Sequence, residues 1–461
     1  MKIGNVAVTL FLVLAAQALG QDQTFFSEVV EVRVTNVDVV VTGRDGKPVT
    51  GLTRDDFEIY ENGVRQELTN FFEIRESGGP SLTEVAAGTA PLSAKEDLQR
   101  RDITIFIDNA VLHPLRRNQI LPQLRRFVER NVRAGDSVAI VTWHRSLKMH
   151  LEPTADRAAI DVALKGLESQ VTGSSLDTNE KDEFYRRIAM LQRMWAGLPP
   201  DADGKPQKPP WYQAVNEARA YAMGAVHGMR QRIEAIKSVV AWRRGVEGRK
   251  VLVLLTGELP MNPAEEPFLY LDSMRTEFAD SNSPAMAEAL QYEQRAVVHE
   301  IADAANSSGV TLYPIDTAGK ESGSIARDAA STPRITARGS VEHAAAMPTL
   351  RMMAEDTGGY ALTGSDNWQL AFDTISNDLG TYYSLGYRSA GDRVDRTKKI
   401  EVRLKNKRYA VRTRRAVVEK SLASEMHDAV ASNLFRAAAR NDLSIRAVAG
   451  AAVPKDTLTV V

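Results

Sequence analysis

The chain of 461 residues contains no cysteine, and that absence closes several routes at once. Disulfides and thiolate metal sites are excluded, as is a lipid anchor of the bacterial lipoprotein kind, which needs a cysteine just after its cleavage site. A fold without cross-links rests on its hydrophobic core, and a chain this long can build one. An excess of one charge is missing too. The 58 basic and 59 acidic residues leave a formal net charge of -1, which gives no electrostatic reason to bind nucleic acid or an anionic membrane. After the N-terminus no apolar run is long enough to span a bilayer, which takes about 20 residues.

Familiar catalytic signatures are also lacking. His299 and Glu300 are followed by Ile301, Ala302 and Asp303, so the second histidine of a zincin helix is not there and His299 reads as part of an ordinary helix face. Nothing fits the Walker phosphate loop, the dinucleotide fingerprint or the Gly-x-Ser-x-Gly elbow. Asp55 and Asp56 fall in a predicted turn, where carboxylates cap or face solvent.

What is present begins with an address. Lys2, an apolar run from Val6 to Ala16 and the small residues Ala18 and Gly20 predict a secretory signal peptide over 1–20, with an uncleaved anchor helix as the alternative. The mature protein is then expected in the periplasm or outside the cell, with no integral span. Period-two alternation at Val30, Val32, Val34 and at Val37, Val39, Val41, then Phe57 and Ile59 before an Asn62-Gly63 hairpin turn, predicts a small β-sandwich-like domain over 25–76. A Gly-, Ser-, Pro- and Ala-rich stretch over 77–100 reads as a linker.

Alternating strands and helices then predict a doubly wound, mostly parallel α/β domain over 101–380. Its strands are Ile103–Ile107 closed by Asp108, Ser137–Trp143, Val251–Leu255, Val310–Ile315 and Tyr360–Leu362, and its helices include Leu115–Val132, Arg157–Leu167, Ala285–Ala305, Leu350–Ala354 and Trp368–Leu379. A helical insertion over 173–245 interrupts it, with a Pro-rich loop from Pro199 to Pro210 and a helix Val215–Trp242 expected to pack on the sheet. Strands return at Tyr383–Tyr387, Ile400–Leu404 and Tyr409–Thr413 in an extension over 381–418. There Tyr383 and Tyr387 share one strand face and Tyr382 takes the other; one of these faces is expected in a core, with a recognition stripe as the alternative, and the basic stretch Lys398–Arg415 is expected on a solvated face. The tail over 419–461 ends in a strand-like run, Thr457–Val461, whose partner is expected beyond it.

Two blocks carry a resemblance. Gly46-Lys47-Pro48-Val49, Gly51-Leu52, Asp56-Phe57 and Glu61-Asn62-Gly63 with Gln66, together with Tyr382-Tyr383-Ser384-Leu385-Gly386-Tyr387 before a basic strand pair, resemble secreted bacterial VWFA-related proteins. The resemblance implies a von Willebrand A fold from about Arg101 to Leu379, flanked by small antiparallel β domains. It also implies a magnesium site at the crevice where strand order reverses, built from an Asp-x-Ser-x-Ser strand end, a Thr and an Asp, with an open position for a partner's carboxylate.

This sequence departs from that pattern. Asp108 matches the first position, but Ala110 and Leu112 stand where the hydroxyls belong, the third loop reads Leu255-Thr256-Gly257-Glu258, and either Thr172 or Thr178 stands for the second. Asp108, Thr172 and Glu258 could compose a rebuilt site for Mg2+; alternatively Asp108 accepts backbone hydrogen bonds at a strand end. With two ligands lost, a degenerate site without cofactor is the expectation. The leading expectation for function is a non-enzymatic binding protein that presents its α/β domain to a protein or cell-envelope partner. The alternatives are a periplasmic hydrolase with the insertion as lid, and a structural component of an envelope assembly. A His or converging carboxylates in a pocket under the insertion would favour the enzyme, and an apolar patch would favour binding.

Overall fold

The computed structural model describes residues 34–75, 100–133, 135–170, 176–257, 259–318, 338–389 and 394–433. The expected signal peptide, the linker up to residue 99, the alternation at Val30 and Val32 and the run Thr457–Val461 lie outside them. Among the described residues no helix is long and apolar enough to cross a membrane.

The alternating valines form β1 (Val34–Thr42), followed by β2 (Phe57–Glu61), β3 (Val64–Gln66) and β4 (Leu68–Ile74). β2 and β3 join through Asn62 and Gly63, whose φ angles of 50° and 83° give the left-handed pair that a two-residue hairpin requires. Just before β2, Asp56 accepts hydrogen bonds from the backbone N–H and hydroxyl of Thr53, the capping part expected of it.

Next come β5 (Arg101–Asp108), α1 (Pro114–Asn131), β6 (Ser137–Trp143), β7 (Leu147–Thr154), α2 (Arg157–Ser169), α3 (Leu176–Ala196), α4 (Trp211–Ala241) and β8 (Arg249–Thr256). After them run α5 (Glu265–Ser273), α6 (Met286–Ala289), α7 (Arg295–Ser308), β9 (Val310–Asp316), α8 (Arg338–Thr357) and α9 (Trp368–Gly380). The five-stranded sheet has the order β7-β6-β5-β8-β9, all parallel except the edge strand β7. Both faces are covered, as continuous apolar runs demand. Ile103, Ile105 and Ile107 point into a core with α1, α2 and α9, while Phe106, Leu252 and Leu254 point into another with α4, α7 and α8.

Three sequence expectations change here. β7 was not foreseen; its Leu147, Met149, Leu151 alternation is short and ends near Pro153, which an edge strand tolerates. The helix expected over Ala285–Ala305 is broken at Gln294, whose backbone N–H donates to Met261 O and whose side chain donates to the Tyr292 and Glu293 carbonyls. Tyr360–Leu362 contributes a single parallel bridge, Leu362 to Ile315.

The insertion is more than one helix on the sheet. α4 has 31 residues, about 46 Å at 1.5 Å per residue, and spans two cores. Its second half, from Met229 to Val240, packs on the sheet, whereas its first half, from Trp211 to Ala222, packs with Phe184 and Ile188 of α3 and Phe268 and Leu271 of α5. The buried Glu266 ties α5 to α3 by accepting from Tyr185 Oη at 2.6 Å and Lys181 Nζ at 3.2 Å.

The chain ends its described part with β10 (Tyr382–Arg388), β11 (Arg396–Leu404), β12 (Ala410–Thr413), β13 (Ala416–Glu419) and α10 (Leu422–Asn433). These strands do not stand apart from the first four. The sheets run β12-β1-β10-β4 and β13-β11-β2-β3, so segments flanking the α/β domain form one sandwich around Val37, Val39, Phe57, Tyr383 and Tyr387. Tyr382 is buried on the opposite face of β10, with the Arg249 guanidinium 4.0 Å from its ring centroid. The basic stretch is only partly solvated. Lys405, Lys407 and Arg408 are exposed, but Lys398 is buried against Glu419, and Arg412 makes two 2.7 Å hydrogen bonds to the buried Asp378.

Candidate functional site

In an open α/β sheet the usable crevice lies beyond the C-terminal strand ends, where crossovers leave in opposite directions from adjacent strands. Here that point is between β5 and β8, and the sequence places oxygen-bearing side chains there. Asp108 ends β5, Thr256 ends β8 and Asp316 ends β9, and each is fully buried. Asp316 accepts from the backbone N–H groups of Ala318 and Gly364, both at 2.9 Å, and Trp368 Nε1 donates to its carbonyl.

Asp108 is held from three sides. Its Oδ1 accepts from Ala110 N at 3.2 Å, its Oδ2 accepts from Thr256 Oγ1 at 2.9 Å, and Arg232 Nε, on α4, stands 3.1 Å from the same Oδ2. Of the other expected site residues, Thr172 and Glu258 lie outside the described residues and Thr178 lies on α3. Ala110 is at the crevice, and Leu112 is buried in the core beneath α1.

Among the described residues, two positions that the resemblance assigns to magnesium ligands carry no side-chain oxygen. Mg2+ takes oxygen ligands in octahedral geometry; Ala110 and Leu112 offer none, and a guanidinium sits against the one matching carboxylate. Among the described residues no group of three His, Asp or Glu converges as a metal set.

Beside this ion pair opens a cleft of about 240 Å³. Its floor is Ala110 and Trp143 at the ends of β5 and β6, and Pro260 and Pro263 after β8 line it further. The wall is α4, with Gly224, His227 and Gly228 between its two cores and Arg232 within the second; Glu180 of α3 and Arg145 of the β6–β7 turn add to the polar lining. Arg145 has φ 84°, a left-handed conformation that costs a non-glycine residue about 1–2 kcal/mol and that the turn between Trp143 and Leu147 imposes. His227 Nε2 lies 2.9 Å from Gln231 Nε2, one helical turn on.

The sequence reading missed Arg232, Arg145 and His227. A signal for the first was present: Met229, Ile233, Ile236 and Val240 mark the buried stripe of α4, and Arg232 occupies a stripe position.

No family model and no curated protein matches the chain. Among solved structures, it is similar to an aerotolerance-related membrane protein from Bacteroides fragilis at 12% identity, over 61% of this chain and 98% of that one, with a TM-score of 0.26. It is also similar to a von Willebrand factor type A protein from Catenulispora acidiphila at 8% identity, over 80% of this chain and 75% of that one, with a TM-score of 0.28. A third is the conserved hypothetical protein BatB from Bacteroides thetaiotaomicron at 14% identity, over 35% of this chain and 69% of that one, with a TM-score of 0.15. The strand order, rather than these distant likenesses, defines the fold.

Proposed function

We propose that the chain is an exported binding protein whose von Willebrand A-like domain receives a protein or cell-envelope partner at the cleft beside Asp108, with no metal bridge. One observation carries this reading: the cleft stands at the switch point of the sheet, and its wall is α4, supplied by the insertion. The insertion also exposes Met190 and Met194, one turn apart on α3, a flexible apolar surface of the kind adaptable partners use. Export rests on the leader-like N-terminus, and the mass of the mature protein should begin near Gln21.

The test is site-specific photocrosslinking in the producing cell, with the reactive residue at His227 or, as a control on α2 at the opposite face of the sheet, at Val162. A discrete adduct from position 227 and none from 162 is the expected result; equal labelling, or none from 227, defeats the proposal. The hydrolase reading draws on one observation, that His227 and Glu180 share the cleft, although among the described residues no Ser, Thr or Cys lines it. Turnover of chromogenic esters or phosphates that disappears in His227→Ala would establish it instead.

A further inference from the structure

We infer that Arg232 is the built-in cation of this crevice, standing where a divalent ion would otherwise balance Asp108. Asp108 is fully buried and the Arg232 side chain is 5% exposed. An isolated carboxylate at such a place is strongly unfavourable, and so is an arginine on the apolar stripe of a helix; each needs the other. The pairing is long-range, since Asp108 ends the central strand and Arg232 comes from the insertion helix. The remaining contacts of the carboxylate that bear on this, Ala110 N and Thr256 Oγ1, are donors as well. The Arg232 cation stands against the same Oδ2 to which the Thr256 hydroxyl donates, so this carboxylate oxygen already has its countercharge.

The consequence is mechanical as well as electrostatic. The ion pair fastens α4 to the end of β5 directly below the cleft wall Gly224–Gly228, so the shape of the cleft is set by covalently supplied charge. Metal concentration and chelators should leave it unchanged. This assignment rests on the Asp108–Arg232 pair and stands whether or not a partner enters the cleft, so its failure and that of the binding proposal are separable.

The experiment compares thermal unfolding of the full chain with Arg232→Met, Asp108→Asn and the double variant, each in millimolar MgCl2 and in excess EDTA. The wild type should unfold at the same temperature in both. Arg232→Met should lower Tm by roughly 10 °C, since it strands a buried charge, and adding Asp108→Asn should recover most of that loss. A saturable rise in wild-type Tm with magnesium that Asp108→Asn abolishes would overturn the inference, and so would a double variant no more stable than Arg232→Met. If Arg232→Met yields no folded protein, recovery of folded protein in the double variant is the supporting result and its absence the opposing one. Arg232→Lys keeps the charge and should remain insensitive to magnesium; a magnesium response there also counts against the inference.

Discussion

The two ends of the parallel sheet bury charge in different ways. At the N-terminal end, β5 begins with Arg101 and Asp102 and β8 with Arg249 and Lys250. Arg101 pairs with Asp136 and Asp102 with Arg243, while Arg249 donates to the Asp378 carbonyl at 2.6 Å. Lys250 donates to Val246 O at 2.9 Å. The sandwich closes over this end through Tyr382, through Arg412 on Asp378, and through Arg414, which donates to Gly309 O at 3.2 Å. At the C-terminal end Asp108 is matched by Arg232 and Asp316 accepts from backbone N–H groups, yet beside the ion pair the helices part to leave a cleft. One end uses its charges to fasten two bodies together, the other to hold a wall around open space.

The sharpest way to break that contrast is to crowd the closed end. Gly359 lies where a Cβ would overlap the carbonyl oxygen of Leu312, and Gly358, at φ 78°, meets the Thr413 backbone. Both obstacles are main chain and cannot swing aside. Gly359→Ala should cost more than about 4 kcal/mol, seen as loss of soluble, cooperatively unfolding protein; a variant with wild-type Tm would show that the seam is loose. Next in size is Asp102→Ala, which leaves Arg243 buried without its carboxylate. Denaturant titration should find it destabilised by about 3–5 kcal/mol.

Lys250 sharpens the comparison through pH. Burial, with Arg414 and Lys420 nearby, pushes its ammonium down to about 8 from an ordinary 10.5. Between those values the unfolded chain binds the proton that the folded chain has lost, so stability rises with pH across that window, and the cost is fully present below about pH 8. Lys250→Met removes the cost. The difference in unfolding free energy between wild type and variant should therefore change by on the order of 3 kcal/mol from pH 8 to 10.5 and stay flat below. Burial also pushes up the phenols of Tyr313, Tyr382, Tyr383 and Tyr387, which lowers stability above about pH 10, but those groups are common to both proteins and cancel in the difference.

Much of this architecture is legible in the sequence, because local periodicity reports how many faces a strand buries. Ile103–Ile107 is apolar but for Thr104 and is covered on both sides; Val37, Val39 and Val41 alternate and face one core. Periodicity does not report which partner covers a face. The pairing of β4 with β10, Tyr382 to Ile74 and Ser384 to Phe72, joins segments separated by the whole α/β domain, so the flanking strands read as two pieces. Arg412 and Lys405 look alike in a basic run, and only Asp378, supplied by α9, makes one of them structural. Asp108 could be placed at its strand end from sequence, whereas its neighbour Arg232 could be found only as a misfit on an apolar stripe, and the cleft beside them not at all.

The smallest expected effect tests the open end with the same chemical change that should ruin the closed one. Gly228 sits in the middle of α4, and a Cβ built there meets nothing within 4 Å; at Gly224 the nearest atom is Glu180 Oε2 at 3.9 Å. Glycine inside a helix costs about 0.5–1 kcal/mol relative to alanine, so Gly228→Ala should stabilise the protein by about that amount and raise Tm by a few degrees. The added methyl projects from the cleft wall, so the photocrosslinked adduct at position 227 should weaken even as the fold strengthens. Stability gained while binding falls is what a glycine kept for a ligand's approach predicts. Stability gained with binding untouched would mean that the bare face of α4 serves no ligand and that the partner docks elsewhere on the insertion.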